Sequence, residues 1–130
     1  MSYSIAMLII LLYEQGGYDM AFQISASLLD SCVLSVLEKK DVYGYELTQS
    51  LKEIIEISES TLYPVLRRLQ KEGYVTVYDA PFNGRNRRYY SITELGRTQL
   101  KQGRNGWNIY KNSIDLIIGA DMTYEGGENE

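Results

Sequence analysis

Ser58-Glu59-Ser60-Thr61-Leu62-Tyr63-Pro64-Val65-Leu66-Arg67-Arg68-Leu69-Gln70-Lys71-Glu72-Gly73 places apolar residues at Leu62, Val65, Leu66 and Leu69. Steps of three and one in this order mark one face of a helix. Ser58 or Ser60 supplies an N-cap oxygen, and Gly73 suits the left-handed residue that ends a helix. Pro64 removes a backbone donor and crowds the carbonyl four residues earlier, so the first turn is expected to be irregular or kinked. The outward positions are Ser60, Tyr63 or Pro64, Arg67 and Lys71, a stripe along the opposite face.

Upstream, Leu47, Leu51 and Ile54 recur at helical spacing over Tyr43–Glu53, and Ile57-Ser58 makes a short turn before the next helix. Two short helices joined by about four residues resemble a helix-turn-helix. Before them, from Ser27 onward, Leu28, Leu29, Cys32, Val33, Val36 and Leu37 form one face of a further helix that ends near Lys39-Lys40. After Gly73, Tyr74-Val75-Thr76-Val77-Tyr78 and Arg87-Arg88-Tyr89-Tyr90-Ser91-Ile92 are β-branched and aromatic, as strands are. Asp79 to Asn86 links them and holds Pro81 and the Asn83-Gly84 turn pair, which predicts a hairpin with a long tip. Three helices and then a hairpin make a winged helix-turn-helix, mainly α with a small β-hairpin.

Thr93 is an N-cap residue, and Glu94 follows it where the helix dipole favours negative charge. Apolar or small residues then fall at Gly96, Leu100, Gly103, Trp107, Tyr110, Ile114 and Ile117, in alternating steps of four and three. That is the seam of helices packing at a shallow angle. A helix from Glu94 to Ile118 would be about 37 Å long at roughly 1.5 Å per residue. It outreaches the winged domain before it, so the seam is expected to meet its own copy in a homodimer. Gly103 and Gly106 each cost about 1 kcal/mol relative to Ala inside a helix, and they mark a kink or a close helix approach.

The chain thus divides into an N-terminal extension (residues 1–19), the winged helix-turn-helix (20–92), a dimerisation helix (93–119) and a polar tail (120–130). In the extension, Ile5 to Tyr13 is an apolar run, well short of the about 20 residues that a membrane span needs. It lacks the basic n-region and small-residue cleavage site of a secretory signal. It is either an extra strand or helix packed on the body or an upstream stretch ahead of a true start at Met20.

The 130 residues are one domain's worth of chain. A chain of that size buries roughly two-thirds of its unfolded surface and needs neither disulfides nor metal to fold. The single cysteine, Cys32, cannot form an internal disulfide and fits a reducing cytoplasm. With no His, the common zinc and iron sites lose their usual ligands, so neither metal nor cofactor is expected. No paired carboxylates and no reactive cysteine setting support an enzyme.

The net charge of -4 argues, by itself, against a polyanionic partner. Its distribution reverses that argument. Residues 67–104 hold nine of the 13 cations against Glu72, Asp79 and Glu94, a net +6, between flanks of -6 and -4. Such a segment is a candidate footprint for nucleic acid, the alternative being an ordinary solvated surface.

A helix in a major groove reads guanine through Arg and is positioned on phosphates by Lys or Ser, which are the residue types of the Ser60, Tyr63, Arg67 and Lys71 stripe. Tyr63 can equally be a core aromatic. Arg85 at the hairpin tip, with Arg87 and Arg88 on its second strand, would lie beside phosphates or in a minor groove. For Arg88 the alternative is a surface pair with Glu72 or Asp79. Trp107 sits mid-seam, where a lone Trp is usually a packing anchor. Across a twofold axis, two such rings beside two Gly103 positions could instead leave a slot for a planar aromatic ligand, within an interface that includes Leu100, Tyr110 and Ile114. Cys32 reads as an inert core residue.

Ser27 to about Gly119 resembles the PadR family of bacterial transcriptional regulators, specifically its short-tailed subfamily. The carriers are Tyr43-Gly44-Tyr45-Glu46-Leu47, Ser58 to Leu69, Gly73-Tyr74, Gly84-Arg85 with Arg87-Arg88-Tyr89-Tyr90, and Thr93-Glu94-Leu95-Gly96. The resemblance implies a winged-helix homodimer, joined through its last helix, that binds inverted-repeat operators in double-stranded DNA. It also implies a repressor released by a small effector, of which phenolic acids and planar aromatic drugs are examples in the family. Carried over by position, Ser60, Thr61, Tyr63 and Arg67 lie on the recognition helix and Arg85 and Arg87 on the wing. Trp107 resembles the interface tryptophan that stacks on ligand in some multidrug-binding members. The chain departs from the pattern in its leading nineteen residues and in the Gly103 and Gly106 pair, which loosens the last helix. The expectation is a cytoplasmic, operator-binding repressor without membrane contact. The alternative is a ligand-binding sensor or interaction module of the same fold that lacks specific DNA readout.

Overall fold

Ser25 starts the first helix of the body: its Oγ accepts the amide of Leu28 at 3.2 Å in the computed structural model, which describes residues 4, 5, 7 and 22–119. Readings of the leading nineteen residues, of Met20 and of the 120–130 tail fall almost wholly outside the described residues. The elements run α1 (Ala26–Leu37), β1 (Val42–Tyr43), α2 (Gly44–Lys52), α3 (Glu59–Lys71), β2 (Val75–Phe82), β3 (Arg85–Ile92) and α4 (Glu94–Ile118). This is a winged helix-turn-helix followed by one long helix. Among the described residues no helix is long and apolar enough to cross a membrane.

Ser58 caps α3, its Oγ accepting the Thr61 amide at 3.3 Å. The helix continues through Pro64 from Glu59 to Lys71, and its first turn carries both a Thr61 and a Leu62 amide on the Ser58 carbonyl, at 3.1 and 3.2 Å. Pro64 lies on the exposed side, where water can take the Ser60 carbonyl that the ring leaves without a helical donor. At the other end Gly73 is left-handed at φ 84°, and the Tyr74 amide reaches back to the Leu69 carbonyl at 2.9 Å. That closes the helix in a Schellman motif. Thr93 then ties α4 to this corner: its hydroxyl donates to the Gly73 carbonyl at 2.7 Å and accepts the Gly96 amide at 3.0 Å.

The three strands form one antiparallel sheet in the order β1-β3-β2. The hairpin differs from the expected one. Its strands continue to Phe82 and from Arg85, so the tip is only Asn83-Gly84, with φ of 53° and 78°. Both turn positions are left-handed, as the two-residue I′ turn requires, and Asn-Gly is the pair that adopts it most easily. Pro81 is tolerated because β2 is an edge strand. Two-residue β1 is too short to leave any alternation in the sequence.

The core gathers Leu29, Val33, Leu34 and Leu37 of α1 with Leu47 and Leu51 of α2, Leu62, Val65, Leu66 and Leu69 of α3, and Val42, Val75, Tyr90 and Leu100. Leu34 is buried because α1 is covered by α4 as well as by α2 and α3. Leu28, Cys32 and Val36, expected inward, are half-buried. Ile54 lies past the end of α2 and is 49% exposed, so it is no core residue.

Gly96 and Gly103 are where α4 approaches the body most closely. A Cβ at Gly96 would fall on the Tyr74 carbonyl oxygen, and one at Gly103 on the Ser31 hydroxyl, whereas Gly106 has open space around it. Gly96→Ala is therefore expected to destabilise the protein by about 1–3 kcal/mol through overpacking. Gly106→Ala should instead stabilise it by about 1 kcal/mol through helix propensity. Urea unfolding of the two variants checks the pair, and similar effects from both would contradict this account of α4.

Candidate nucleic-acid interface

On α3 Ser60, Thr61, Tyr63, Arg67 and Lys71 are exposed, together with Glu59, Pro64 and Gln70, so Tyr63, at 40% exposure, points outward and does not join the core. Ser60 and Thr61 are not idle hydroxyls: each shares a 3.0 Å hydrogen bond with Ser58 Oγ, forming a small cluster at the helix start. A helix N-terminus carries unpaired amides and partial positive charge, which adds to the electrostatics of this end.

The basic segment separates into two populations. Arg68 donates from both terminal nitrogens to Asp30 on α1, at 2.7 Å each, and this hydrogen bonding raises the guanidinium pKa further. Arg104 holds the Glu38 carboxylate at 2.8 Å and keeps its pKa below the usual carboxylate range. Arg97 donates to the Glu38 carbonyl at 3.3 Å. These three fasten helices to one another. Arg88 lies 3.6 Å from Asp79 across the hairpin, the surface pair weighed above. By contrast Arg67, Lys71, Arg85 and Lys101 make no ion pair among the described residues. Three of those four lie on α3 and at the start of β3.

Between α3 and the wing, Tyr43, Tyr45, Tyr63, Arg67, Arg87 and Arg88 help to line an open cleft of ≈ 490 Å³. Of the residues named from the sequence, Tyr63 and Arg67 of the stripe meet Arg87 and Arg88 of the wing there, Arg85 lines an adjoining hollow with Tyr43, Tyr45 and Arg87, and Ser60, Thr61 and Lys71 line neither. Tyr43 and Tyr45, where β1 passes into α2, were not among the sequence-derived site residues; a two-residue strand and the first turn of a short helix carry no periodic signal. Arg87 lies over two rings, 4.0 Å from the centroid of Tyr43 and 3.8 Å from that of Phe82. On the same face Tyr78 stacks on Tyr89 at 5.5 Å and donates its hydroxyl to Asp41 at 2.7 Å, a bond that raises the phenol pKa.

Along α4 the seam has two parts. Leu100 is buried in the chain's own core, and Gly103 is backed by Ser31. Beyond them Trp107 is 41% exposed and tilts against an exposed Tyr110 at 6.3 Å, with Ile114 half-buried. The Gly103 wall of the expected aromatic slot is therefore occupied by the same chain. Burial pushes the Cys32 thiol pKa up, which keeps it protonated and unreactive. Among the described residues no group of three metal-ligating side chains could hold an ion.

Residues 33–102, more than half of the chain, match the family described as "Transcriptional regulator PadR-like family". The chain belongs to the PadR-like family of transcriptional regulators. The PadR-like match runs from within α1 into α4 and so includes all of α2, α3 and the wing. An uncharacterised protein of Lysinibacillus sphaericus is 37% identical over 95 residues, 69% of this chain and 87% of that one. The crystal structure of smu.1704 from Streptococcus mutans superposes with a TM-score of 0.71 at 40% identity, covering 76% of this chain and 93% of that one. A PadR family transcription regulator from Clostridium difficile gives 0.66 at 31% identity, over 70% and 98% of the two chains. Transcription regulation is thus the function class of this PadR-like chain.

The seating of α3 on Arg68 and Asp30 can be tested directly. Asp30→Ala should cost about 1.5–3 kcal/mol, the range for a hydrogen bond to a charged group, and toward its lower end because the Arg68 side chain keeps 37% exposure. Adding Arg68→Met should recover part of the loss, since the stranded charge is then gone. Equilibrium unfolding in urea reads both, and a double variant no better than the single one would refute the pairing account.

Proposed function

We propose that the chain is a homodimeric, sequence-specific DNA-binding repressor that a small effector releases from its operator. The observation that carries the reading is the sorting of the cations: Arg68 and Arg104 are tied to carboxylates on or beside α1, whereas Arg67 lines the cleft with Arg87 and Arg88, and Arg85 lines the adjoining hollow on the wing. Local positive charge on a chain of net charge -4 suits selective docking on a duplex.

In this reading residues 20–92 bind DNA and residues 93–119 dimerise, within the cytoplasm. The α3 helix enters the major groove, where Arg67 offers a guanine two hydrogen bonds and Tyr63 lies alongside the bases. Ser60, Thr61 and Lys71 contact phosphates, and the wing lays Arg85 on the flanking backbone. A twofold copy sets the second α3 about 34 Å away, one helical turn of DNA, which calls for an inverted-repeat operator. The exposed stripe of Trp107, Tyr110 and Ile117 supplies the self-complementary surface for that copy, and Trp107 is the ring on which an aromatic effector would stack. A second reading, a sensor of the same fold without specific readout, is favoured only by the net acidity and by that half-exposed Trp107.

A salt series of fluorescence anisotropy, with the DNA upstream of the chain's own gene against a scrambled duplex of equal length, tests the proposal. Preference for the native duplex is expected; equal, steeply salt-dependent binding of both would favour the second reading. Arg67→Ala should lose about 1–3 kcal/mol on the native duplex and relax its preference. Arg85→Ala should weaken both duplexes alike and lower the salt slope by about one. Trp107→Ala should shift sedimentation toward monomer, and an unchanged dimer would show that Trp107 anchors nothing.

A further inference from the structure

Arg87 differs from every other cation of the wing in being held on both sides by aromatic rings. β1 pairs with β3 only at Val42↔Tyr90 and Tyr43↔Tyr89. Beyond Tyr89, toward the tip, β3 is paired on the β2 side alone, and the hairpin projects from the body. Phe82 pairs with Arg85 across the last rung before the turn. The guanidinium of Arg87 therefore lies between the last ring of the body strand and the last ring of the hairpin. Ala80, its cross-strand partner, is small enough to let it lie flat.

This contact ends a continuous file. From the tip it runs through Phe82, Arg87, Tyr43, Tyr89 and Tyr78 to Asp41, with ring separations of 5.9 Å for Tyr43 and Tyr89 and 5.5 Å for Tyr89 and Tyr78. A planar, weakly hydrated guanidinium can stack on two rings at once, whereas a lysine ammonium is a compact, strongly hydrated charge that cannot. A two-stranded ribbon without such support is only marginally ordered in water, and ordering it on binding would weaken association.

We infer that Arg87 is a positioning residue of the wing: clamped between Tyr43 and Phe82, it fixes the hairpin tip relative to α3, and so holds Arg85 at a set reach from Arg67 and Lys71. It does not itself neutralise a phosphate. The inference rests on the reading of this face as the duplex-binding one, and it assigns to Phe82 and Tyr43, which carry no charge, a share in DNA affinity.

The test uses the full chain with Arg87→Lys, Arg87→Ala and Phe82→Ala, measured by anisotropy on the native duplex and by backbone amide exchange without DNA. Loss of the stacked contacts is expected to weaken binding about tenfold for Arg87→Lys and for Arg87→Ala alike. Phe82→Ala should give a similar loss, and the combined Phe82→Ala and Arg87→Ala variant should be no worse than either alone. In free protein, amides from Asn83 to Arg87 should exchange faster in Arg87→Lys while those of α3 stay as in the wild type. Wild-type affinity in Arg87→Lys, with a salt slope reduced by about one in Arg87→Ala, would make Arg87 a phosphate contact and overturn the inference. So would a silent Phe82→Ala or unchanged exchange at the tip. If the wild type itself shows no preference for the native duplex, it is the operator reading that fails, and the exchange measurement still decides the clamp.

Discussion

Arg68 lays both terminal nitrogens on the Asp30 carboxylate, and through that fork α3 is fixed against α1. An arginine and a carboxylate meeting two-pronged fix rotation as well as distance, which a single point contact would not. With Arg68 committed inward, its neighbour Arg67, about 100° further round the helix, is turned to solvent beside the cleft. The same α1 receives α4 through Ser31 at Gly103 and through Glu38 at Arg104. It is therefore the spine on which α3 and α4 are both registered. α4 contacts α1 more extensively than it contacts any other element.

The charge distribution follows the same division of labour. A basic segment inside an acidic chain is easily taken as a uniform patch, but four of its nine cations are engaged with acidic side chains or a carbonyl elsewhere in the fold. These engaged cations secure packing, and the potential felt by an approaching polyanion comes chiefly from those left over. Surface pairs such as Arg88 with Asp79, both sides more than half exposed, contribute little stability, and their value is local alignment of the two strands.

What the sequence disclosed depended on the range of the interaction. The buried face of α3 was legible in full, because Leu62, Val65, Leu66 and Leu69 face one core and nothing else interrupts their period. The hairpin was legible in kind but not in length: Pro81 and Asn83-Gly84 look like a loop by composition, yet an edge strand tolerates the proline and a two-residue turn uses the pair. Ile54 kept the helical period one step beyond the point where the helix had ended. The partners of Arg68 and Arg104 lie 38 and 66 residues away, so no local pattern could separate fastening cations from free ones. The rings around Arg87 come from two different strands and were equally out of reach of spacing arguments.

The seam of α4 carries the most general lesson, since one unbroken four-three pattern serves two partners. Gly96, Leu100 and Gly103 are small or apolar because the chain's own sheet and α1 press on them. Trp107, Tyr110 and Ile117 continue the same stripe past the end of that contact, where the body no longer covers them. Periodicity reports that a face avoids water and is silent on what excludes it. The change from glycine to large aromatic and branched residues along the stripe marks the handover: close backbone approach needs the first, while a neighbour held further off is filled by the second. A twofold copy meets this requirement with a single surface, because each outer half would find its own complement in the other. The two glycines of the inner half then matter at a distance, by setting the angle at which α4 leaves α1.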